Sequence, residues 1–435
     1  MTLLVISPDY ASHLLPLATL ATAWRDAGER VVVATGPATA HIVRSFGYSR
    51  TDLRLGRGSN PGVIRAEQQP PGEDDALRGF FAATAEGMVA TLRFQADARR
   101  TDLLWQPVDT ARAVLRVLDA VRPDHILVDH LAFGARLALA ASGTHHADVV
   151  LGHPTALVVG DELYGYPTAW PAAFEPAAAA LDALRQRCLQ VRERFTDDWN
   201  RALRVLDPGA ATVDDAFAAA GPELLFNYPE RLHDPARTRL LPPHTFLGSA
   251  VRDETPDGDV AAWLDRSDPR PVVYVSFGSF LSARDDVLAR VVAALRPLPV
   301  RVALTTGSAD TRGWPPLPGH WLVREHLPQV AVLGRAALAV THGGNNSVTE
   351  ALNRGVPLLV LPFSTDQFAA AAAIEGAALG AALDPNTATA AQLRSAATAI
   401  LHGAATAAAR ELGDALRARP GRDVARGALG AASTT

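Results

Sequence analysis

The sequence predicts an α/β protein made of two doubly wound domains that face each other across a cleft. Three observations carry this reading. The 435 residues are too many for one ordinary core and suit two domains. Short apolar runs alternate with helical patterns, which implies parallel β-α-β units. That alternation then begins afresh after a polar stretch with Pro and Gly, Asp253–Asp268.

In the first half, Leu3–Ser7 is an apolar strand, and Leu14–Ala27 is a helix stopped by Gly28. Arg30–Ala34 is a second strand, and a helix around Ala38–Phe46 ends at Gly47. Arg50–Asp75 is rich in Gly, Pro and charge and reads as a loop, while Asp75–Val121 carries amphipathic helical patterns. His125–Val128 is a strand, Phe133–Ala141 a helix and Val149–Leu151 another strand. Ala172–Leu206 is again helical, and Glu223–Asn227 reads as the last strand of this half.

The first domain is expected over residues 1–229, a linker over 230–259 with a short helix at Val260–Leu264 after it, and the second domain over 260–435. Five parallel strands are expected there: Val272–Ser276, Val302–Thr305, Trp321–Arg324, Ala336–Val340 and Pro357–Leu361. The tail from Ala388 is helical, and its last helix is a candidate to cross back to the first domain.

Composition removes several functions. A net charge of −5 without a basic stripe argues against a nucleic-acid partner. All 41 Lys/Arg positions are arginine, which excludes Schiff-base chemistry, a pyridoxal-phosphate anchor and a P-loop lysine. Cys188 is the only cysteine, so neither an internal disulfide nor a cysteine zinc site can form. Met1–Ile6 has no basic leader and is followed by Pro8 and Asp9, so it reads as a strand and not a signal peptide. No apolar run approaches the ~20 residues of a membrane span. A cytoplasmic protein with no membrane partner is the expectation.

The most informative stretch is Thr341-His-Gly-Gly-Asn-Asn-Ser-Val-Thr-Glu350, with Gly355-Val-Pro357 and Asp366-Gln367 after it. A buried strand, Ala336–Val340, runs into a glycine pair and then a helix from about Asn345 to Asn353. Gly343 and Gly344 allow a sharp turn and close approach of a ligand to the backbone. The N–H groups and dipole at the helix start form an anion site. His342, Asn346 and Ser347 add donors at the same mouth, and Glu350, one turn on, can accept sugar hydroxyls. A diphosphate joined to a ribose fits this arrangement. Ligands of doubly wound sheets bind beyond the carboxyl ends of the strands, so His13 and Asp129 would face His342–Ser347 and Asp366-Gln367 across the cleft.

These C-terminal motifs resemble those of the UDP-glycosyltransferase superfamily, inverting sugar transferases with two Rossmann-like domains in the GT-B arrangement. His326-Leu-Pro-Gln329 through Gln367 is similar to the signature box of its plant members and still more to that of its bacterial natural-product branch. Val272-Val-Tyr-Val-Ser-Phe-Gly-Ser279 resembles the family's strand into the first phosphate-side loop. Ser12-His13-Leu-Leu-Pro16 is similar to its catalytic-histidine segment.

The resemblance implies that His342 contacts one phosphate, with Asn346 and Ser347 on the other and Ser279 and Gly344 beside them. It implies Glu350 and Gln329 at the ribose, Asp366 and Gln367 at the transferred sugar, and His326 where a base-stacking tryptophan is common. Asn345 stands at another commonly aromatic position, on the acceptor side.

The function that follows is transfer of a hexose from a UDP- or TDP-sugar, a co-substrate and not a resident cofactor, to a hydroxyl of an apolar natural product. His13 would be the general base and Asp129 its partner, with direct displacement inverting the anomeric centre. Phe80, Phe81, His153, Tyr164 and Trp170 are candidates for the acceptor wall. The alternatives are a sugar-nucleotide epimerase of the same fold and a non-catalytic nucleotide-sugar-binding partner.

No metal site is expected. Asp257-Gly-Asp259 resembles a metal-binding DxD but precedes a short helix, where Asp259 reads as an N-cap. His145-His146 with Asp148 reads as a surface turn.

Overall fold

Strands buried on both faces are continuously apolar, and the central strands of both sheets are of that kind. The computed structural model describes residues 1–62 and 73–432, the side chains of residues 73, 74, 100, 101, 279, 280, 431 and 432 excepted. The first sheet contains β1 (Thr2–Ile6), β2 (Arg30–Thr35), β3 (Ser49–Asp52), β4 (His125–Asp129), β5 (Ala147–Val150), β6 (Glu223–Phe226) and β7 (Thr245–Phe246). Their order is β3-β2-β1-β4-β5-β6-β7, with every pairing parallel.

The second sheet contains β8 (Val272–Ser276), β9 (Arg301–Thr305), β10 (Leu322–Arg324), β11 (Ala336–Thr341), β12 (Leu358–Val360) and β13 (Gly380–Ala382). Its order is β10-β9-β8-β11-β12-β13, again all parallel. In each sheet the order reverses beside the first strand, which leaves a crevice there. β1 and β4 are neighbours, with Ile6 opposite Val128. The turn after β1 and the end of β4 therefore meet at one point.

Several elements differ from the sequence reading. β3 and the first residues of the helix Glu73–Glu86 occupy the ends of the stretch read as a loop, and residues 63–72 lie outside the described structure. Two further strands went unread. β7 is two residues long and sits within the expected linker, so the first sheet extends past residue 229. β13 is Gly-Ala-Ala, with no β-branched residue, and forms because β12 offers a free edge.

The helix Gly258–Leu264 is capped by Asp257, which accepts from the Val260 N–H at 2.9 Å; Asp259 lies inside the first turn and pairs with Arg324. His146 and Asp148 are not on a surface turn. Asp148 is fully buried and accepts from the Arg136 Nε–H at 2.9 Å, with His130 and His146 beside it. Arg136 also donates to the His130 carbonyl at 3.0 Å, which steadies the turn after β4.

The chain crosses between the two halves twice. After the last helices of the second half, Gly421–Ala432 packs against Ala11–Asp26. Arg422 pairs with Asp26 at 2.9 Å and Arg426 with Glu29 at 2.8 Å. The two crossings touch. A methyl group on Gly421 would stand 2.6 Å from the Ser249 carbonyl oxygen and 2.7 Å from that of Leu247. Only glycine lets the strands of chain lie this close.

Candidate active site

His13 lies in the first turn of the helix Ala11–Asp26, directly after β1. Its Nδ1 is 2.6 Å from Oδ2 of Asp129, the last residue of β4. Oδ1 of Asp129 accepts the Leu131 N–H at 2.8 Å, so the carboxylate cannot rotate freely. Burial alone would lower the pKa of the imidazole, but the charge and hydrogen bond of Asp129 outweigh it, with Asp366 and Asp102 adding to them, and the pKa is raised above the ordinary 6.5. Because Nδ1 faces the carboxylate, Nε2 is the nitrogen left for a proton-bearing ligand.

Across the cleft, β11 ends at Thr341, and the helix Asn345–Asn353 starts four residues later. Gly344, Asn345, Asn346 and Ser347 line the cleft at this helix start. The His342 ring is held between two glycines. A methyl on Gly278 would lie 2.8 Å from its Cε1, and one on Gly344 would collide with its Nε2. Burial holds the His342 pKa down to about 4, opposed by a hydrogen bond to the Ser276 backbone. The ring is therefore neutral.

One further contact joins the two walls. Pro16 has no N–H, so the Ser12 carbonyl lacks its partner within the helix. Asn346 donates to that carbonyl at 2.6 Å from the opposite domain. The residue expected at a phosphate thus also ties the helix start to the turn that carries His13.

The cleft between the walls has a volume of about 1110 Å³. That exceeds the usual range for a single small ligand, ~300–1,000 Å³, and leaves room for two. Its first-half wall includes an apolar patch of Leu77, Phe80, Leu92, Phe94, Phe133 and Tyr164, with charged residues such as Arg54, Arg99 and Asp102 on the same side. Its second-half wall carries Gly278, His326, Gln329, His342, Glu350, Asp366 and Gln367. The side chain of Ser279 lies outside the described residues; its backbone belongs to the short helix Gly278–Leu281 that contributes Gly278.

Some expected residues do different work. His153 is buried against Tyr228, its Nδ1 beside the Thr155 hydroxyl at 3.0 Å, and its ring does not line the cleft. Phe81 does not line it either, because the neighbouring helix position, Phe80, takes that face. Trp170 packs against the first-domain core instead. Asn345 forms no acceptor wall of its own; its amide donates to the carbonyls of Leu151 at 2.7 Å and Asn227 at 2.9 Å, pinning the domains together. Gln367 is committed to its own loop, accepting from Phe363 and Ser364 N–H groups and donating to the Ser364 hydroxyl. Asp366 accepts the His153 N–H at 2.5 Å across the domain boundary.

Sequence reasoning missed Arg252 and Tyr274, which line the donor side, and Gln95, Arg99 and Asp102 on the other side. Arg252 sits in a stretch that reads as polar linker, and no local pattern singles it out. Among the described residues, no group of three or more His, Cys, Asp or Glu side chains is arranged to hold a metal ion. Among them, too, no helix is long and apolar enough to cross a membrane.

Residues 193–408 match the model of the UDP-glucoronosyl and UDP-glucosyl transferase family. The demethyllactenocin mycarosyltransferase of Streptomyces fradiae is 30% identical over 304 residues, covering 68% of this chain and 61% of that protein. Across the first curated relatives the matched segments span 32 to 61% of the relatives' own length. Among solved structures, the glycotransferase of kitacinnamycin aligns with a TM-score of 0.68 and 24% identity over 98% of this chain and 96% of that one. The glycosyltransferase VinC in complex with dTDP aligns with a TM-score of 0.68 and 18% identity over 100% of both chains. The fold is that of these two-domain enzymes, the GT-B arrangement.

Proposed function

We propose that this chain is a member of the UDP-glucoronosyl and UDP-glucosyl transferase family and moves a hexose from a UDP- or TDP-sugar to a hydroxyl of an apolar natural product, with inversion. The observation that carries the reading is the His13–Asp129 pair facing the helix start at Asn345 across one cleft. TDP as the nucleotide draws support from the dTDP held by a structural neighbour. The apolar patch on the first-half wall supports an apolar acceptor.

In the reaction, Nε2 of His13 takes the proton of the acceptor hydroxyl as its oxygen attacks the anomeric carbon. The bond from that carbon to the diphosphate breaks, and the diphosphate leaves with the electron pair. Asp129 stabilises the imidazolium, while the helix N–H groups and dipole stabilise the leaving group. Attack from the face opposite the diphosphate turns an α-linked donor into a β-glycoside. His342 has one N–H as a neutral ring. With one ring nitrogen turned to the Ser276 backbone, the second would meet a phosphate oxygen, and the charge of the diphosphate would favour a proton on that nitrogen. Asp366 and Gln367 would border the sugar, Gln329 and Glu350 the pentose, and His326 the base. We place the reaction in the cytoplasm.

Incubation with UDP- or TDP-hexose and a panel of apolar alcohols, followed by mass spectrometry, tests the proposal: a product heavier by one hexose is expected. A donor whose sugar is altered in the absence of any acceptor would instead support epimerisation and overturn it. Chelation with EDTA is expected to leave turnover unchanged, since the diphosphate is met by backbone and neutral donors; strong inhibition would contradict this. Gly344→Ala drives a methyl into the His342 ring. It is expected to weaken nucleoside diphosphate binding by about tenfold or more, consistent with an overpacking cost of ~1–3 kcal/mol. Calorimetric titration checks this, and unaltered affinity would remove His342 from the phosphate site.

A further inference from the structure

We propose that Arg252, carried by the segment joining the two domains, is a positioning residue of the donor pocket: its guanidinium keeps the buried Glu350 carboxylate charged and fixed in orientation for the pentose of a bound nucleotide. The proposal rests on the reading of this cleft as a nucleotide-sugar site.

Glu350 is 4% exposed, and its two oxygens are already engaged. Arg252 Nη1 donates to Oε1 at 2.6 Å, and Gln329 Nε2 donates to Oε2 at 2.6 Å. Arg252 is itself oriented, because Nη2 donates to Glu254 at 2.9 Å, and the other oxygen of Glu254 accepts the Val330 N–H at 2.7 Å. The Tyr274 hydroxyl donates to the Gln329 amide oxygen at 3.2 Å. Arg252, Tyr274, Gln329 and Glu350 all line the cleft, so this network belongs to the site wall and not to the core.

Each carboxylate oxygen keeps a second lone pair for a ligand hydroxyl. That capacity depends on the charge surviving burial. Burial pushes the Glu350 carboxyl up from its ordinary value, and Arg252 is the largest influence holding it back. The other groups facing it cannot replace that cation: Glu254 adds like charge, Gln329 is uncharged, and burial pushes the Tyr274 hydroxyl up to about 12, so it stays neutral. Removing one partner of a buried pair leaves the other uncompensated.

The test is calorimetric titration of UDP and of TDP into the full-length protein, with steady-state kinetics, for wild type, Arg252→Gln and Arg252→Lys at about pH 6 and about pH 8. Without its cation, Glu350 protonates at higher pH, so affinity that needs the carboxylate is present above that raised pKa and lost as pH falls through it. Arg252→Gln should therefore bind about tenfold or more weakly at the higher pH and lose further affinity at the lower. Donor KM should rise far more than kcat falls. Arg252→Lys retains the charge and should recover part of the affinity with no added pH dependence. It carries the test alone if the Gln variant does not fold.

Wild-type affinity in the Gln variant at both pH values would overturn the proposal, as would equal loss in the Gln and Lys variants with no pH dependence. A wild type that binds neither nucleotide would defeat the reading of the cleft itself, and Arg252's role with it. That failure is separate, because it appears before any variant is compared.

Discussion

His13→Ala is expected to cut turnover by about 10²–10⁴-fold while changing donor affinity by no more than about twofold. The ring lies in the cleft between the first-half wall and the helix start at Asn345, with Asp129 already engaged at 2.6 Å on its far nitrogen. The donor-side contact to this turn runs through the Ser12 backbone, which an alanine at position 13 leaves in place. The two effects should therefore separate. Initial rates at saturating donor, with nucleotide titration in parallel, check this. Comparable losses in both would mean that His13 shapes the pocket and does not move a proton.

Asp129→Asn is expected to cost about 10²–10⁴-fold in turnover and to move the acid limb of the rate profile to lower pH. An asparagine amide can donate to Nδ1, which would place the ring proton on Nε2 and block the base. It keeps an oxygen for the Leu131 N–H, so the local fold should survive. The sign follows from the environment of the ring. Catalysis needs neutral imidazole, and Asp129 raises the pKa, so wild-type activity is full above that raised value and falls as pH drops through it. Once the carboxylate charge is gone, burial acts with less opposition, the pKa drops, and residual activity persists to lower pH. A pH profile of kcat/KM for both proteins measures the shift. An acid limb that does not move would sever Asp129 from the titrating group.

What was legible in the sequence was local. Strand-turn-helix patterns mark β1 into His13 and β11 into Asn345, because an apolar run, a turn signal (Pro8-Asp9 in one, Gly343-Gly344 in the other) and a helix start lie within a dozen residues. Contacts that bridge the domains carry no such mark. Arg252 meets Glu350 at a separation of 98 residues, Asp366 meets the His153 N–H at 213, and Asn346 meets Ser12 at 334. The acceptor wall was half legible for a related reason. Aromatic content placed Phe80 and Phe81 near it, but helix rotation decides which of two adjacent rings faces the cleft. β13 escaped because an edge partner, and not its own side chains, makes Gly380–Ala382 a strand.

The touching crossings at Gly421 and at Leu247–Ser249 also bring both covalent connections between the halves to one place. Two polypeptide connections pressed together at one spot would act as a single pivot for any separation of the halves. Each swing must undo the ties that Asn345, Asn346 and Asp366 make across the boundary. Those ties lie among the groups facing the diphosphate and the sugar, so gaping and loss of the donor's grip become one event.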